Sequence, residues 1–127
     1  MKFHKANREI LTKQLLIEMA NVRTEETGLP MVIYIRPRSK YIKHGPSIRV
    51  SKIYGNNISS SGLFSITISD NPKVTHKRTG DIEPKDIESV KEFIRKNQEP
   101  LFDLWYNRIS PTEAVNKFDK VLTKGAK

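Results

Sequence analysis

The sequence indicates an α+β fold: an N-terminal helix, a small antiparallel sheet of three to four strands, and C-terminal helices packed on one face of the sheet. Two periodicities predict it. Residues 31–77 contain β-branched and alternating apolar stretches, as in strands, and apolar residues recur at helical spacing in residues 6–20 and 82–122. With 127 residues, the chain is long enough for one buried core. We therefore expect a single domain over residues 1–127, ending in a tail at residues 123–127.

The first predicted element is a helix over residues 6–20. Its apolar stripe is formed by Ile10, Leu11, Leu15, Ile17 and Met19. Residues 24–30 follow it and contain Gly28 and Pro30, which are typical of turns. We expect this stretch to be a connection that breaks any helix.

Three strands are predicted in the middle of the chain. Residues 31–36 are β-branched and aromatic and stop at Pro37, whereas residues 47–53 and 63–69 alternate between apolar and polar side chains. Residues 73–77 are expected to add a short further strand. Alternation with one apolar face predicts a sheet that is packed on one side and exposed to water on the other, with Arg49 on the exposed face.

Prolines mark the predicted C-terminal helices. Pro84 suits the first position of a helix, and Pro100 predicts that this helix ends or kinks near Asn97. Residues 110–113, Ser-Pro-Thr-Glu, have the pattern of a capping box and predict the start of a last helix. The residues expected on its buried face are Ala114, Val115, Phe118, Val121 and Leu122.

Short helices of this kind need tertiary burial. Trp105 and Tyr106 follow the apolar stripe of the preceding helical segment, so we expect them to be core or helix-packing residues and not a ligand site. The C-terminal helices are also a candidate surface for a homo-oligomer.

Positive charge is concentrated in the first two-thirds of the chain. The net charge is +9. Residues 1–80 hold fourteen Lys or Arg and five Asp or Glu, while residues 81–127 hold nine of each. No acidic residue lies between Glu26 and Asp70. Such a stretch attracts anions, and nucleic acid is a common partner.

The sequence therefore predicts a small basic binding module that engages nucleic acid and is not an enzyme. Cations contact phosphates, and aromatic rings stack on unpaired bases. The expected phosphate contacts are Arg36, Arg38, Lys40, Lys43, Arg49 and Lys52, and the expected stacking residues are Tyr41 and Tyr54.

Three alternatives remain open. The basic face can simply keep the protein in solution, or it can dock on an acidic protein surface, as a regulator or inhibitor does. The third alternative is a toxin-like ribonuclease. Its base would be His44, and Arg36 or Arg49 would stabilise the charge of the transition state.

Several other functions are disfavoured by residue content. The chain has no cysteine, which excludes disulfides and thiolate metal sites. His4, His44 and His76 are far apart in the sequence, so no metal site is expected. The glycines stand singly, so no phosphate-cradling loop and no cofactor are expected. Without an apolar run of spanning length, we expect a cytoplasmic protein and no membrane partner.

The layout of residues 22–118 resembles an uncharacterised family of small bacterial proteins, also found on mobile elements and sometimes encoded beside antitoxin-like genes. The resemblance rests on a strand at residues 31–36, a strand after His44-Gly45-Pro46, a third strand ending near Asp70, and a helix with the aromatic end Leu104-Trp105-Tyr106. Relatives carry a second histidine in the strand where this chain has Ser47 and Arg49. The resemblance implies no settled function.

Overall fold

The fold is an antiparallel sheet with helices, seen in a computed structural model that describes residues 20–38, 45–56, 62–75 and 78–121. The strands are β1 (Ala20–Val22), β2 (Ile33–Ile35), β3 (Ser47–Ser51) and β4 (Leu63–Thr67). The helices are α1 (Thr24–Thr27), α2 (Pro84–Lys96), α3 (Gln98–Trp105) and α4 (Pro111–Lys117). The predicted α+β class is confirmed. The predicted N-terminal helix lies outside the described residues, apart from Ala20, which belongs to β1.

The four strands lie in the sheet in chain order, β1-β2-β3-β4, and every pair is antiparallel. The pairing of β3 with β4 is the longest and runs from Ser47 opposite Thr67 to Ser51 opposite Leu63. Strand β1 was not expected from the sequence. Three residues are too few to show an alternation, and β1 is held by its pairing with β2.

One face of the sheet and the helices enclose a single hydrophobic cluster. The sheet contributes Ile33, Ile35, Ile48, Val50, Phe64 and Ile66. The helices contribute Val90, Phe93, Ile94, Leu101, Leu104 and Ala114. Side chains of this size each stabilise the fold by about 1.5–3 kcal/mol when fully buried, so this cluster is the main source of stability.

The opposite face of the sheet is not open to water at its centre, contrary to the sequence-based expectation. Tyr34 is 8% exposed, Ser65 is 5% exposed and Ser51 is 2% exposed. The residues of β2 and its flank, Met31 to Ile35, are all buried. A strand that is apolar at every position is typical of burial on both faces, and residues 31–35 have that pattern.

The strands are shorter than predicted at their ends. Residues 31–36, 47–53 and 63–69 yield strands of three, five and five residues. The short strand predicted at residues 73–77 is reduced to one bridge between Val74 and Ile66, and His76 and Lys77 lie outside the described residues. Apolar alternation locates a strand, but the ends are set by how far the partner strand extends.

The connection predicted at residues 24–30 contains the single turn of α1. Gly28 ends this turn with φ at 81°, in the left-handed region. A Cβ atom at this position would collide with the carbonyl oxygen of Val121. The backbone N–H of Val121 donates to the carbonyl of Thr27 at 2.9 Å. The close approach of these two backbones therefore requires glycine at position 28.

The starts of α2 and α4 and the end of α2 lie where the prolines and polar residues predict. Helix α2 has Pro84 at its first position and ends at Lys96, with Asn97 as its C-cap. Helix α4 has the predicted capping box: Ser110 Oγ accepts from the Glu113 N–H at 3.1 Å, and the Glu113 carboxylate accepts from the Ser110 N–H at 3.2 Å.

The last helix is shorter than its apolar stripe. Helix α4 ends at Lys117, so Phe118 and Val121 reach the core from the irregular segment that follows. Phe118 packs edge-on against Phe93, with 5.1 Å between the ring centroids. Leu122 and the tail at residues 123–127 lie outside the described residues.

Candidate functional site

The basic segment, residues 36–54, divides between the two ends of the sheet. Because β2 and β3 are antiparallel, Arg36 and Arg38 after β2 lie at the same end as Gly45 before β3. Lys52 and Tyr54 follow β3 and lie at the opposite end. Lys40, Tyr41, Lys43 and His44 lie outside the described residues. The predicted site residues therefore do not form one cluster.

Arg38 contacts an aromatic residue from the C-terminal helices. Its guanidinium carbon lies 5.2 Å from the ring centroid of Tyr106, and the guanidinium carbon of Arg108 lies 5.2 Å from the same centroid. Cation–π contacts at exposed positions contribute about 0.5–1 kcal/mol each. We call Arg38, Tyr106 and Arg108 the arginine–tyrosine surface.

Backbone hydrogen bonds fix the arginine–tyrosine surface in place. The N–H of Arg38 donates to the carbonyl of Trp105 at 2.9 Å, which joins the end of β2 to the end of α3. The N–H of Arg108 donates to the carbonyl of Asp103 at 2.8 Å. The Arg108 guanidinium also pairs with the Asp103 carboxylate at 3.0 Å. The two cations are thus held on one ring by separate parts of the chain.

Tyr106 is 41% exposed and is the exposed large hydrophobic residue among the described residues. It follows the last residue of α3 and stacks on Phe102, with 6.4 Å between the ring centroids. Of the two residues expected to be core or helix-packing residues, Trp105 is buried at 4% exposure, whereas Tyr106 packs on the helix residue Phe102 and keeps an exposed ring. The signal available in the sequence was the polar pair after it, Asn107 and Arg108.

Arg49 lies on the sheet face opposite the core, in a row that crosses the strands. Its Cα partners are Tyr34 on β2 and Ser65 on β4. Burial raises the pKa of the Tyr34 hydroxyl. The Nε atom of Arg49 is also buried and has no hydrogen-bond partner among the described residues.

Tyr54 contacts acidic residues through its hydroxyl, and Lys52 contacts one through its backbone carbonyl. The Tyr54 hydroxyl donates to the Asp86 carboxylate at 2.6 Å and accepts from the Glu83 N–H at 2.9 Å. The Tyr54 ring packs against the core. The Lys52 carbonyl accepts from the Asp81 N–H at 2.9 Å. These contacts anchor the end of β3 to the start of α2, which leaves little of the Tyr54 ring for stacking.

Four ion pairs form among the described residues. Ion pairs join Arg23 to Glu25, Lys85 to Glu83, Lys91 to Glu88 and Arg108 to Asp103. Among the described residues, no ion pair involves Arg38, Arg49 or Lys52. The described ranges also contain no group of three or more His, Cys, Asp or Glu residues placed to hold a metal ion.

Comparison with known proteins yields no relative. The chain matches no family model, no curated protein and no solved structure. The resemblance to small bacterial and mobile-element proteins stays a prediction. None of the described helices has both the length and the apolar composition needed to cross a membrane.

Proposed function

We propose that the protein is a small basic binding module for nucleic acid, and that it binds unpaired strands through the arginine–tyrosine surface. The observation that carries this proposal is the exposed Tyr106 ring with two guanidinium groups 5.2 Å from its centroid. Single-strand binding proteins combine cations that hold phosphates with aromatic rings and guanidinium planes on which bases stack.

The position of the surface along the chain supports the same function. Arg36 begins the basic segment, and Arg38 follows it by two residues. Lys40, Tyr41 and Lys43 follow in the sequence and would add phosphate contacts and a further ring. The Asp103 carboxylate pairs with Arg108 and offsets part of the positive charge of the arginine–tyrosine surface. Arg38 is exposed and makes no ion pair among the described residues, which suits contact with a phosphate.

The test is binding of labelled single-stranded RNA, single-stranded DNA and duplex DNA over a salt series, measured by fluorescence anisotropy. We expect binding that persists near physiological salt and falls linearly in log salt. Each phosphate contact to a single strand contributes about 0.7 to the slope, so Arg38→Gln and Arg108→Gln should each lower it by about 0.7. The Tyr106→Ala variant should lose roughly tenfold in affinity, because a base loses its stacking platform.

Two matched variants serve as controls. Tyr106→Phe keeps the ring and should retain most of the affinity for single strands. Arg95→Gln removes an exposed cation of α2, far along the chain from the basic segment, and should leave the salt slope near its original value. Unchanged single-strand affinity and slope in the combined Arg38→Gln, Arg108→Gln variant would overturn the proposal.

A further inference from the structure

A cavity of about 500 Å³ lies on the sheet face opposite the hydrophobic core. Arg49 and four hydroxyl side chains line it: Ser47 from β3, Ser65 and Thr67 from β4, and Thr75 beyond β4. Alternation along the strands explains the grouping, because Ile48, Phe64 and Ile66 point to the core and their neighbours point to the cavity. Its volume falls in the range typical of small-ligand sites, about 300–1,000 Å³.

The cavity contains a donor that the described residues do not satisfy. Arg49 Nε is buried and has no hydrogen-bond partner among them. A buried cationic donor without a partner is destabilising, and an anion supplies the missing acceptor together with the opposite charge. None of the described residues that line the cavity is acidic, so none of them supplies an anion to Arg49.

The hydroxyl groups favour one class of anion. A planar carboxylate is satisfied by the two-pronged edge of one guanidinium, whereas a phosphate monoester presents three terminal oxygens in a tetrahedral arrangement. The hydroxyls of Ser47, Ser65 and Thr67 can donate to the oxygens that the guanidinium does not reach, whereas the Thr75 hydroxyl donates to the Ser65 carbonyl at 3.3 Å. Pro46 and Ile68 add apolar wall, which suits the sugar or base attached to such a phosphate.

We propose that this cavity binds the terminal phosphate of a nucleoside monophosphate unit, with Arg49 as its counter-ion. The unit is either a free mononucleotide or the phosphorylated end of a strand, and the second source rests on the proposed function. The position of the cavity suits a strand end. Ser47 begins β3 and Pro46 precedes it, so the cavity extends to the same end of the sheet as Arg38.

The experiment compares single-stranded oligonucleotides of one sequence that carry a 5′-phosphate, a 3′-phosphate or hydroxyls at both ends. Their binding is measured by fluorescence anisotropy, and binding of AMP, UMP and inorganic phosphate is measured by calorimetry. We expect one terminal phosphate to increase affinity roughly tenfold, as a charge-assisted contact does. Arg49→Gln should abolish this increase, while Arg95→Gln should preserve it.

Two further variants separate recognition from folding. Arg49→Lys keeps the charge but loses the planar donor edge, and it should retain only part of the increase. Ser65→Ala removes one hydroxyl and should reduce the increase a few-fold without changing affinity for the hydroxyl-ended strand. Melting temperatures by circular dichroism identify any variant that fails to fold. The comparison of the three kinds of strand end uses the unmodified protein, so it does not depend on the folding of a variant.

The outcomes distinguish the two sources and the two proposals. A phosphate-dependent increase for one strand end supports the cavity as a strand-end site. Binding of AMP or UMP without binding of any strand supports the cavity for free nucleotides and overturns the proposed function. Equal affinity for all three strand ends, with no binding of AMP, UMP or phosphate, overturns this inference. If strands still bind through Arg38 and Arg108 in that case, the proposed function stands.

Discussion

Asn97 is a buried polar residue whose hydrogen bonds connect two segments. It is 1% exposed and caps α2. Its Nδ2 donates to the carbonyls of Phe93 and Asp119, both at 2.9 Å, and its Oδ1 accepts from the Asp119 N–H at 2.7 Å. The side chain thereby satisfies both backbone groups of Asp119 and holds the segment after α4 against α2.

Asn97→Ala should lower the free energy of unfolding by about 2–3 kcal/mol, because it leaves partly buried backbone groups without partners. Urea unfolding followed by circular dichroism measures this loss. Asn116→Ala changes an exposed asparagine of α4 and should cost no more than about 0.5 kcal/mol. Equal stability of the Asn97→Ala variant and the original chain would show that the hydrogen bonds to Asp119 are dispensable.

Arg38 and Arg49 show that the surroundings of an arginine determine how its guanidinium interacts with an anion. Both belong to the acid-free stretch of the sequence. Arg38 is exposed and contacts Tyr106, whereas Arg49 has a buried Nε beside a cavity. An exposed guanidinium contributes to long-range attraction and to the salt dependence of binding. A partly buried guanidinium has a stronger local interaction with an anion and is the more selective of the two.

Helix α4 depends on its N-terminal cap, since seven residues form too few hydrogen bonds to be stable alone. Ser110→Ala removes the acceptor for the Glu113 N–H and should lower the free energy of unfolding by about 1 kcal/mol. Chemical denaturation measures this loss in the free energy of unfolding. Thr112→Ala, an exposed substitution within the same helix, serves as the comparison and should change stability by less than about 0.5 kcal/mol. A loss in the Thr112→Ala variant as large as in Ser110→Ala would contradict a specific capping role.

Strand β2 is buried on both faces, and this explains why the sheet does not have one wet side. Ile33 and Ile35 belong to the core cluster, while Tyr34 points the other way and is 8% exposed. The neighbouring strand β3 alternates and carries Arg49 beside Tyr34. Polar groups on the second face are therefore set in partly apolar surroundings, where hydrogen bonds and charge pairs are stronger than in water.

The whole molecule should lose stability at alkaline pH. Burial and the hydrogen bond to the Asp86 carboxylate raise the pKa of Tyr54 above its usual 10.0, and burial also raises the pKa of Tyr34. A raised pKa means that the folded state keeps the proton when the unfolded state loses it. The stabilisation is thus fully present below about pH 10 and is lost as pH rises through the folded-state pKa.

Tyr54→Phe tests this pH dependence. Without the hydroxyl, the Asp86 carboxylate and the Glu83 N–H lose a partner, so the free energy of unfolding at neutral pH should fall by about 1–2 kcal/mol. The decline above about pH 10 should also be shallower than in the original chain. Urea unfolding at neutral and alkaline pH measures both effects, with Tyr106→Phe as a control at an exposed ring. If the loss of stability above about pH 10 is unchanged in Tyr54→Phe, groups other than Tyr54 cause that loss.

Local signals in the sequence were sufficient for much of this architecture. The prolines and capping residues gave the starts of α2 and α4 and the break at Asn97, because caps and proline constraints act within one turn of a helix. Alternation located β3 and β4, because side chains of a strand point to opposite faces in turn. The charge asymmetry is likewise a property of the sequence alone, and it indicated the class of partner that we propose.

The other features of the fold, and both proposed sites, depend on contacts between distant parts of the chain. Strand β1 forms because β2 offers it hydrogen bonds, and Gly28 is required by a backbone that arrives from Val121. Tyr106 meets Arg38 because the end of α3 packs beside the end of β2, 68 residues earlier in the chain. The cavity at Arg49 depends on the register of β3 against β4. Periodicity and charge composition are properties of neighbouring residues in the sequence, whereas these sites depend on which distant segments of the chain pack together.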